Sequence, residues 1–157
     1  MFKQTHPYSD LREFIAQLEA LDELRRIKTP VATELEITAL ADACLQRQGP
    51  ALLIETPTRS GAASSHPALV NLFGTTRRVA LGMGADDPAQ LREIGRVLSM
   101  LKEPEAPRGL KDAWDKLPMI KQVWSMTPKL VSKAECQTHR LEGSEVDLSR
   151  FPIQHCW

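Results

Sequence analysis

Several features are scarce or missing in this 157-residue sequence, and each absence argues against a class of protein. The formal net charge is +0, from 20 Lys+Arg and 20 Asp+Glu, so bulk charge gives no reason to expect nucleic acid as a partner. No stretch approaches the roughly 18 consecutive apolar residues that indicate a membrane-spanning helix. The first residues hold no apolar segment of the secretory type. The 3 cysteines are too scattered for a disulfide framework, so we expect the reducing cytosol as the compartment.

What is present is the composition of an ordinary globular protein. Hydrophobic residues make up 42% and charged residues 25% of the chain. A chain of this length can form one domain with its own core, or one domain and the beginning of a second. No internal repeat is visible, so the elements have to be identified one by one.

Two early stretches carry apolar residues at the three- and four-residue spacing of an amphipathic helix. The first begins after Ser9 or Asp10, either of which can cap a helix. The second begins at Thr33, which fits a capping box with Glu36, and Gly49 supplies its C-terminal stop. Their apolar faces are Leu11, Phe14, Ile15, Leu18 and Leu21, and then Ile37, Leu40, Ala41, Cys44 and Leu45.

A third helix is predicted after residue 87. Asp87 can cap it and Pro88 suits its first turn. Its inner stripe is Leu91, Ile94, Val97, Leu98 and Leu101. Cys44, on the apolar face of the second helix, is interpreted as a small core residue with an inert thiol.

The strand signals lie between these helices. A short strand is predicted from Leu24 to Lys28, and the apolar runs 51–54 and 69–73 are each typical of a largely buried strand. Residues 56–67 are rich in Ser, Thr, Gly, Ala and Pro and predict a surface loop. The order helix–strand–helix–strand–strand–helix up to residue 101 indicates an α/β (α+β) domain with a small sheet covered by helices.

The pattern changes after residue 103. Residues 104–107 are typical of a linker, and a helical pattern with apolar positions from Leu110 to Trp124 is interrupted by Pro118. Residues 136–141 and 146–157 then predict a strand, a turn and a further strand. We expect an N-terminal α/β domain at 1–103, a linker and helical segment at 104–130, and the first strands of a further domain at 131–157.

The closing residues alternate in the manner of a strand that lacks its neighbour. Phe151, Ile153, His155 and Trp157 share one face, which is mostly apolar and needs a partner strand. A terminal carboxylate on Trp157 would place a charge beside a side chain that favours burial. We therefore expect this sequence to be the front part of a longer protein.

The segment Gly82-Met83-Gly84 lies before a predicted helix and partly resembles a dinucleotide-binding turn. The fingerprint needs a third glycine, but Asp87 occupies that position and its carboxylate would repel phosphate. Glu103, near the offset of the ribose-binding acid, ends a helix rather than a strand. A glycine-rich turn that reverses the chain is the favoured interpretation.

Cys136, His139, His155 and Cys156 are the residues that a zinc site would use. In extended chain, residues one or three apart point to opposite faces, so neither pair converges. The spacing also departs from that of zinc-binding cysteine pairs. Structural cysteines and histidines are favoured over a metal site.

Two basic segments suggest binding, and each has a simpler explanation. Arg77 and Arg78 follow a Gly-Thr-Thr turn and can hold an anion, although a solvated or ion-paired surface is favoured. Trp114 and Trp124 fit either an interfacial helix that touches membrane or, as favoured, packing against another part of the protein. The lysines near them are Lys111, Lys116, Lys121 and Lys129. No Ser-His-Asp set, pair of catalytic carboxylates or P-loop can be assembled.

Several segments, in order along the chain, resemble the N-terminal region of the UbiD family of prenylated-flavin-dependent decarboxylases. The likeness is strongest to the bacterial carboxy-lyases that act on 3-polyprenyl-4-hydroxybenzoate in ubiquinone biosynthesis. The segments are DLREF (10–14), ELRRI (23–27), LEIT (35–38), GPALL (49–53), NLFG (71–74), RVALGMG (78–84), LKEPE (101–105), PI (152–153) and CW (156–157). No single segment is diagnostic, but their ordered series is specific.

The resemblance implies an α/β N-terminal domain, a central split-barrel domain that binds prenylated FMN and a divalent metal (usually manganese), and a C-terminal oligomerisation domain. It implies loss of CO₂ from an aromatic acid, with the flavin as electron sink. A separate flavin prenyltransferase would supply the cofactor, and a homo-oligomer is expected. The family's metal ligands and catalytic Glu-Arg-Glu set match no position here, so no catalytic, cofactor-binding or metal residue is assigned. The chain itself is expected to bind no cofactor and to act as a scaffold.

Two departures from the family pattern stand out. Asp22 occupies a position where the family often has glycine, so a left-handed helix cap is less comfortable there. The loop 56–67 is more polar and longer than expected.

The alternative hypothesis is a stand-alone interaction or regulatory module derived from such a domain, and peripheral contact with a membrane also stays open.

Overall fold

The computed structural model of the protein describes residues 8–102, 117, 128 and 130–156. Contacts divide the chain into two compact units, Met1–Leu91 with Asp147–Trp157, and Arg92–Val146. The predicted linker at 104–107, the kink at Pro118 and the basic segment with Trp114 and Trp124 lie outside the described residues, as does Trp157. The predicted domain boundaries at 103 and 130 stay predictions about the intact protein.

The first unit contains two small sheets, and the larger follows the predicted strands. Strand β1 (Leu24–Ile27) pairs in parallel with β3 (Ala51–Ile54), with Leu24 opposite Ala51, and β3 pairs antiparallel with β6 (Ala68–Val70). All four residues of β3 are buried, as expected of a central strand covered on both faces. The mixed α/β fold predicted from the sequence is confirmed.

The second sheet was not predicted. Strand β2 (Val31–Ala32) pairs in parallel with β4 (Pro57–Arg59), which forms an antiparallel hairpin with β5 (Ala62–Ala63). The two turn residues of the hairpin, Ser60 and Gly61, have φ angles of 50° and 81°, which matches the left-handed geometry of a tight two-residue turn. The segment 56–67, predicted to be a surface loop, thus contains two short strands, because its polar composition hid a pairing with a distant strand.

Helix α1 (Leu11–Ala20) confirms the first prediction. Asp10 caps it, and its carboxylate accepts hydrogen bonds from the amides of Arg12 (2.8 Å) and Glu13 (3.2 Å). Its C-terminal turn leads to Asp22, which adopts φ 61°. A left-handed turn is thus formed here on an aspartate, at a cost in backbone strain.

Helix α2 (Glu36–Gln46) begins differently from the prediction. Its N-cap is Leu35, with φ 65° and no side-chain cap, so the proposed capping box at Thr33 is wrong. Thr33 is 1% exposed, and its amide donates to the carbonyl of Thr58 at 2.8 Å, beside the second sheet. The Glu36 carboxylate instead accepts from the amide of Ala32 at 2.7 Å.

The end of α2 also corrects one detail. The left-handed residue after the helix is Gln48, with φ 52°, rather than Gly49. Gly49 packs closely against the end of the helix, because a Cβ there would lie 3.3 Å from the carbonyl oxygen of Cys44, a tight contact. Cys44 is a free cysteine of intermediate burial.

Two helices follow the sheets. The seven-residue helix α3 (Thr76–Gly82), capped by Thr75, was missed because it is too short to show a clear apolar period. Helix α4 (Leu91–Lys102) follows a 3₁₀ turn at Pro88–Gln90 that Asp87 caps, as predicted. Leu98, assigned to its inner stripe, is 55% exposed.

Two hydrophobic clusters flank β3. Ala51 and Leu53 point to one cluster and Ile54 to the other, as the two-residue period of a strand requires. The first cluster joins Phe14, Leu18, Leu24 and Leu81 to that face, and the second joins Val31 and Ile37. The core thus lies where helices α1, α2 and α3 meet the central strand.

The two strands predicted after residue 135 do not form within the described residues. In their place are short 3₁₀ helices at Glu135–Gln137, Gly143–Glu145 and Leu148–Arg150. A single parallel bridge, between Glu34 and His155, is the strand-like pairing that residues 147–156 make. A strand needs a series of backbone hydrogen bonds to a neighbouring strand, and in this segment His155 is the residue that forms such a bridge. The start of a split barrel remains a prediction.

Candidate functional site

Residues 147–156, hereafter the strap, lie against the first unit, to which they belong. The His155 amide donates to the carbonyl of Thr33 at 3.0 Å, and the His155 carbonyl accepts from the amide of Leu35 at 2.9 Å. The side chain of Gln154 donates to Oγ1 of Thr38 at 2.7 Å. The strap is therefore fixed to the segment that connects β2 to α2.

The other end of the strap contacts the hairpin region. The Ser64 hydroxyl donates to the carbonyl of Arg150 at 3.4 Å, and the ring of His66 lies 5.0 Å from that of Phe151. Within the strap, the side chain and amide of Ser149 donate to Asp147 at 2.6 and 2.9 Å, and these hydrogen bonds lower the pKa of the Asp147 carboxyl.

A cleft of about 510 Å³ opens between the hairpin and the strap, and we call it the arginine cleft. A smaller cavity of about 300 Å³ adjoins it, and Thr33 and Arg59 line both. The arginine cleft is lined by Thr33, Arg59, Ser60, Ala62, Ala63, Ser64, Ser65, Ser149, Arg150, Phe151 and Pro152. Its walls come from two segments far apart in sequence, so no local pattern could have revealed it.

The charge of the arginine cleft is one-sided. Arg59 and Arg150 are exposed, and neither forms an ion pair with a carboxylate of the described part of the chain. No carboxylate lines this cleft, whereas Glu34 lines the smaller cavity beside it. Asp147 lies beside the cleft, and the pKa of its carboxyl is lowered by the Ser149 hydrogen bonds and, to a smaller extent, by the charge of Arg150. The cleft is therefore suited to an anion.

The cleft does not contain a hydrolytic triad. Ser65 Oγ lies 3.0 Å from Nδ1 of His66, but these are adjacent residues on an exposed segment. Within the described residues, no carboxylate orients that imidazole; its other neighbour is the ring of Phe151. A nucleophile and a base without a third group to orient the base do not make an activated serine.

The arginine pair at 77–78 has a structural role that the sequence did not show. Arg78 is 0% exposed; its Nη1 donates to Oε2 of Glu23 at 2.9 Å, and its Nε donates to the carbonyl of Leu72 at 3.0 Å. Its Nη2 donates to the carbonyl of Asn71 at 3.2 Å, and Arg77 pairs with the other oxygen of Glu23 at 3.1 Å. Both arginines are ion-paired, but Arg78 is buried and not part of the predicted surface. The anion-binding alternative is wrong for Arg78, because its donors are already used inside the protein.

The glycine turn at 82–84 ends helix α3. Gly84 has φ 75°, and the amides of Gly84 and Ala85 donate to the carbonyls of Leu81 (2.9 Å) and Ala80 (2.8 Å). These bonds form a left-handed helix cap. The interpretation as a chain-reversing turn is confirmed, because amides that cap a helix are not available to a pyrophosphate.

The candidate zinc residues fall in different parts of the protein. Cys136 and His139 belong to the second unit, and His155 and Cys156 to the strap. Across the described ranges, no group of three or more His, Cys, Asp or Glu side chains is placed to hold a metal ion. None of the described helices has the length and apolarity needed to cross a membrane.

Comparison with known proteins places the fold in a family. The model of the 3-octaprenyl-4-hydroxybenzoate carboxy-lyase N-terminal domain matches residues 15–98, just over half of the chain. Among solved structures, vanillic acid decarboxylase from Sedimentibacter hydroxybenzoicus, in its open form, is 30% identical over 57% of this chain, with a TM-score of 0.48. An evolved dimeric form of the UbiD-class enzyme HmfF from Pelotomaculum thermopropionicum, in complex with prFMN, is 25% identical over 64% of this chain, also with a TM-score of 0.48.

The chain spans a fifth or a little more of those two proteins, 20% and 22% of their lengths. The family match covers α2, both small sheets, α3 and most of α4. Five of the segments that resembled this family, at 23–27, 35–38, 49–53, 71–74 and 78–84, lie within the matched range. The chain belongs to the UbiD family, as a member of its carboxy-lyase N-terminal domain group.

Proposed function

We propose that the intact protein is a UbiD-type decarboxylase that removes CO₂ from an aromatic acid without net oxidation. The single observation that carries this is the family match over residues 15–98. The segments shared with the ubiquinone-pathway enzymes favour 3-polyprenyl-4-hydroxybenzoate as the acid. Prenylated FMN, made by a separate flavin prenyltransferase, would supply the electron sink, with manganese as the divalent metal.

The role proposed for this chain is that of a scaffold. The described residues include no cluster fit to ligate a divalent metal, so no step of the reaction is assigned to them. Their contribution is to hold the strap, through His155 and Gln154, against the segment that connects β2 to α2. A strap held in this way fixes the direction in which the polypeptide of the intact enzyme continues toward its cofactor-binding domain.

The test is a flavin-binding experiment. We expect the 157-residue chain, produced together with a flavin prenyltransferase, to show no flavin absorption after purification and no decarboxylation. The complete open reading frame, produced in the same way, should carry the flavin spectrum. A stoichiometric flavin spectrum on the 157-residue chain would contradict the scaffold role, and a flavin-free complete protein would contradict the decarboxylase.

The proposed partners follow from the same assignment. They are the remainder of the decarboxylase, further copies of the same subunit, and the prenyltransferase, in the cytoplasm. Peripheral contact with the inner membrane through residues 114–124 is the remaining proposal. It should appear as co-sedimentation with liposomes that is lost when Trp114→Ser and Trp124→Ser are combined.

A further inference from the structure

We propose that the arginine cleft binds the phosphate group of a small phosphorylated molecule. Its volume, about 510 Å³, lies within the range of small-molecule sites, roughly 300–1,000 Å³. The hairpin region forms one wall and the strap forms the other. The site is therefore a concave cleft between two segments, and not a basic patch on a single surface segment. The proposal concerns a site of the first unit and does not depend on the decarboxylase assignment.

The first argument is that the two arginines of the cleft have no acidic partner in an ion pair within the described residues. Arg59 and Arg150 line the cleft, and within the part of the chain that the structure describes neither has a carboxylate in an ion pair. Several other arginines do pair with a carboxylate, such as Arg25 with Asp22 at 3.0 Å and Arg78 with Glu23 at 2.9 Å. A guanidinium presents a fork of N–H donors that matches phosphate oxygens in two-point contact.

The second argument is the sign of the surrounding charge. The lining of the arginine cleft contains no aspartate or glutamate, so an entering dianion meets no like charge on its walls. Asp147, which is not part of the lining, interacts electrostatically with Arg150. Glu34 lines the neighbouring cavity together with Arg59. These two acids reduce the positive potential at the rim without occupying the space between the arginines.

The third argument is the supply of neutral donors. The hydroxyl of Ser60 lines the cleft and has no hydrogen-bond partner within the described residues. Ser64 and Ser149 are already engaged, by the carbonyl of Arg150 and by Asp147, and these bonds hold the two walls in place. A phosphate would thus find two charged forks and one free hydroxyl, a set that favours a doubly charged oxyanion over a monocarboxylate.

The two-sided construction has a thermodynamic consequence. The cleft exists when the strap lies on the hairpin, so a ligand that bridges Arg59 and Arg150 must stabilise the docked strap. Binding of phosphate should therefore increase protection of the His155 amide, which bonds to Thr33 at 3.0 Å. Adsorption to a basic surface would not have this effect.

The experiment is an amide-resolved NMR titration of the 157-residue chain with inorganic phosphate, phenyl phosphate and acetate at constant ionic strength. We expect both phosphates to shift amides of residues 59–65 and 149–152, and to bind at least about tenfold more tightly than acetate. Arg59→Gln and Arg150→Gln should each weaken phosphate binding about tenfold. Arg25→Gln, an exposed arginine on β1 outside the cleft, is the matched control and should leave the affinity unchanged.

Thermal unfolding without ligand separates loss of binding from loss of folding, since all three arginines are exposed and their variants should unfold like the parent chain. Equal weakening by Arg25→Gln would overturn the proposal, as would shifts confined to other residues. Acetate binding as tightly as phosphate would also overturn it. Binding with unchanged exchange of the His155 amide would exclude the two-sided site.

Discussion

The buried arginine at position 78 allows a sharp test of what holds this domain together. Its guanidinium is fully buried and gives three hydrogen bonds, to Glu23 and to the carbonyls of Asn71 and Leu72. It thereby ties helix α3 to the turn before β1 and to the loop after β6. Replacing it by methionine keeps most of the volume and removes the charge and the donors.

The magnitude follows from what the substitution leaves behind. Removing one partner of a buried ion pair typically costs about 3–5 kcal/mol, because the other charge stays buried and unpaired. Here the Glu23 side chain is 17% exposed and keeps Arg77, and Asn71 and Leu72 are residues of intermediate burial. We therefore expect Arg78→Met to cost about 3 kcal/mol, the lower end of that range.

Arg77 is a matched control in the adjacent position. It pairs with the same carboxylate at 3.1 Å, but its side chain is 54% exposed. A solvent-exposed ion pair contributes about 0–1 kcal/mol, so Arg77→Met should cost no more than that. The two variants remove the same charge from the same chain and differ in burial.

Equilibrium unfolding in urea, followed by circular dichroism, measures both free energies. A domain of this size has roughly 5–15 kcal/mol of stability, so a loss of about 3 kcal/mol shifts the midpoint clearly. Equal costs for the two variants would refute the reasoning, since burial would then not decide the energy. A cost below about 1 kcal/mol for Arg78→Met would do the same.

Three further predictions follow from local features. Asp22→Gly should stabilise the domain by about 0.5–1 kcal/mol, because glycine removes the strain at φ 61°, while Asp22→Ala should give no gain; urea unfolding compares them. Ile37→Ala, at 0% exposure, should cost about 2–5 kcal/mol, and Leu45→Ala on the same helix, at 49% exposure, less than about 1 kcal/mol; similar thermal shifts would contradict the assigned core. The pKa of Asp10 is lowered, chiefly by the Glu13 amide, so its contribution is present above its unfolded pKa and is lost as pH falls through the folded pKa. The stability advantage of the parent over Asp10→Asn should therefore shrink between pH 7 and about pH 3, and a constant difference would contradict this.

The arginine cleft could not be predicted from the sequence. Arg59 lies in the predicted surface loop at 56–67, and Arg150 lies in the predicted closing strand at 146–157. Only the docking of the strap brings them to one cleft. The arginine pair that the sequence offered as an anion site, Arg77 and Arg78, instead forms ion pairs within the fold. Their partner Glu23 lies 55 residues from Arg78 in sequence but next to it in space.

The sequence by itself determined the elements whose signals are local. Asp10 and Asp87 begin their helices as predicted, the short strand predicted at Leu24 forms, and the apolar run 51–54 forms the central strand β3. A cap or an apolar period acts between residues a turn apart, so it can be recognised without the rest of the chain.

The tertiary structure decided everything that depends on a distant partner. Thr33 did not cap α2, because its backbone pairs with Thr58 and with His155. Residues 57–63 became a hairpin because β2 offered an edge to β4, and the predicted closing strand became a strap because one residue found a bridge. Backbone pairing and charge burial depend on which segments lie next to each other in the folded protein. The spacing of residues along the chain does not encode those neighbours.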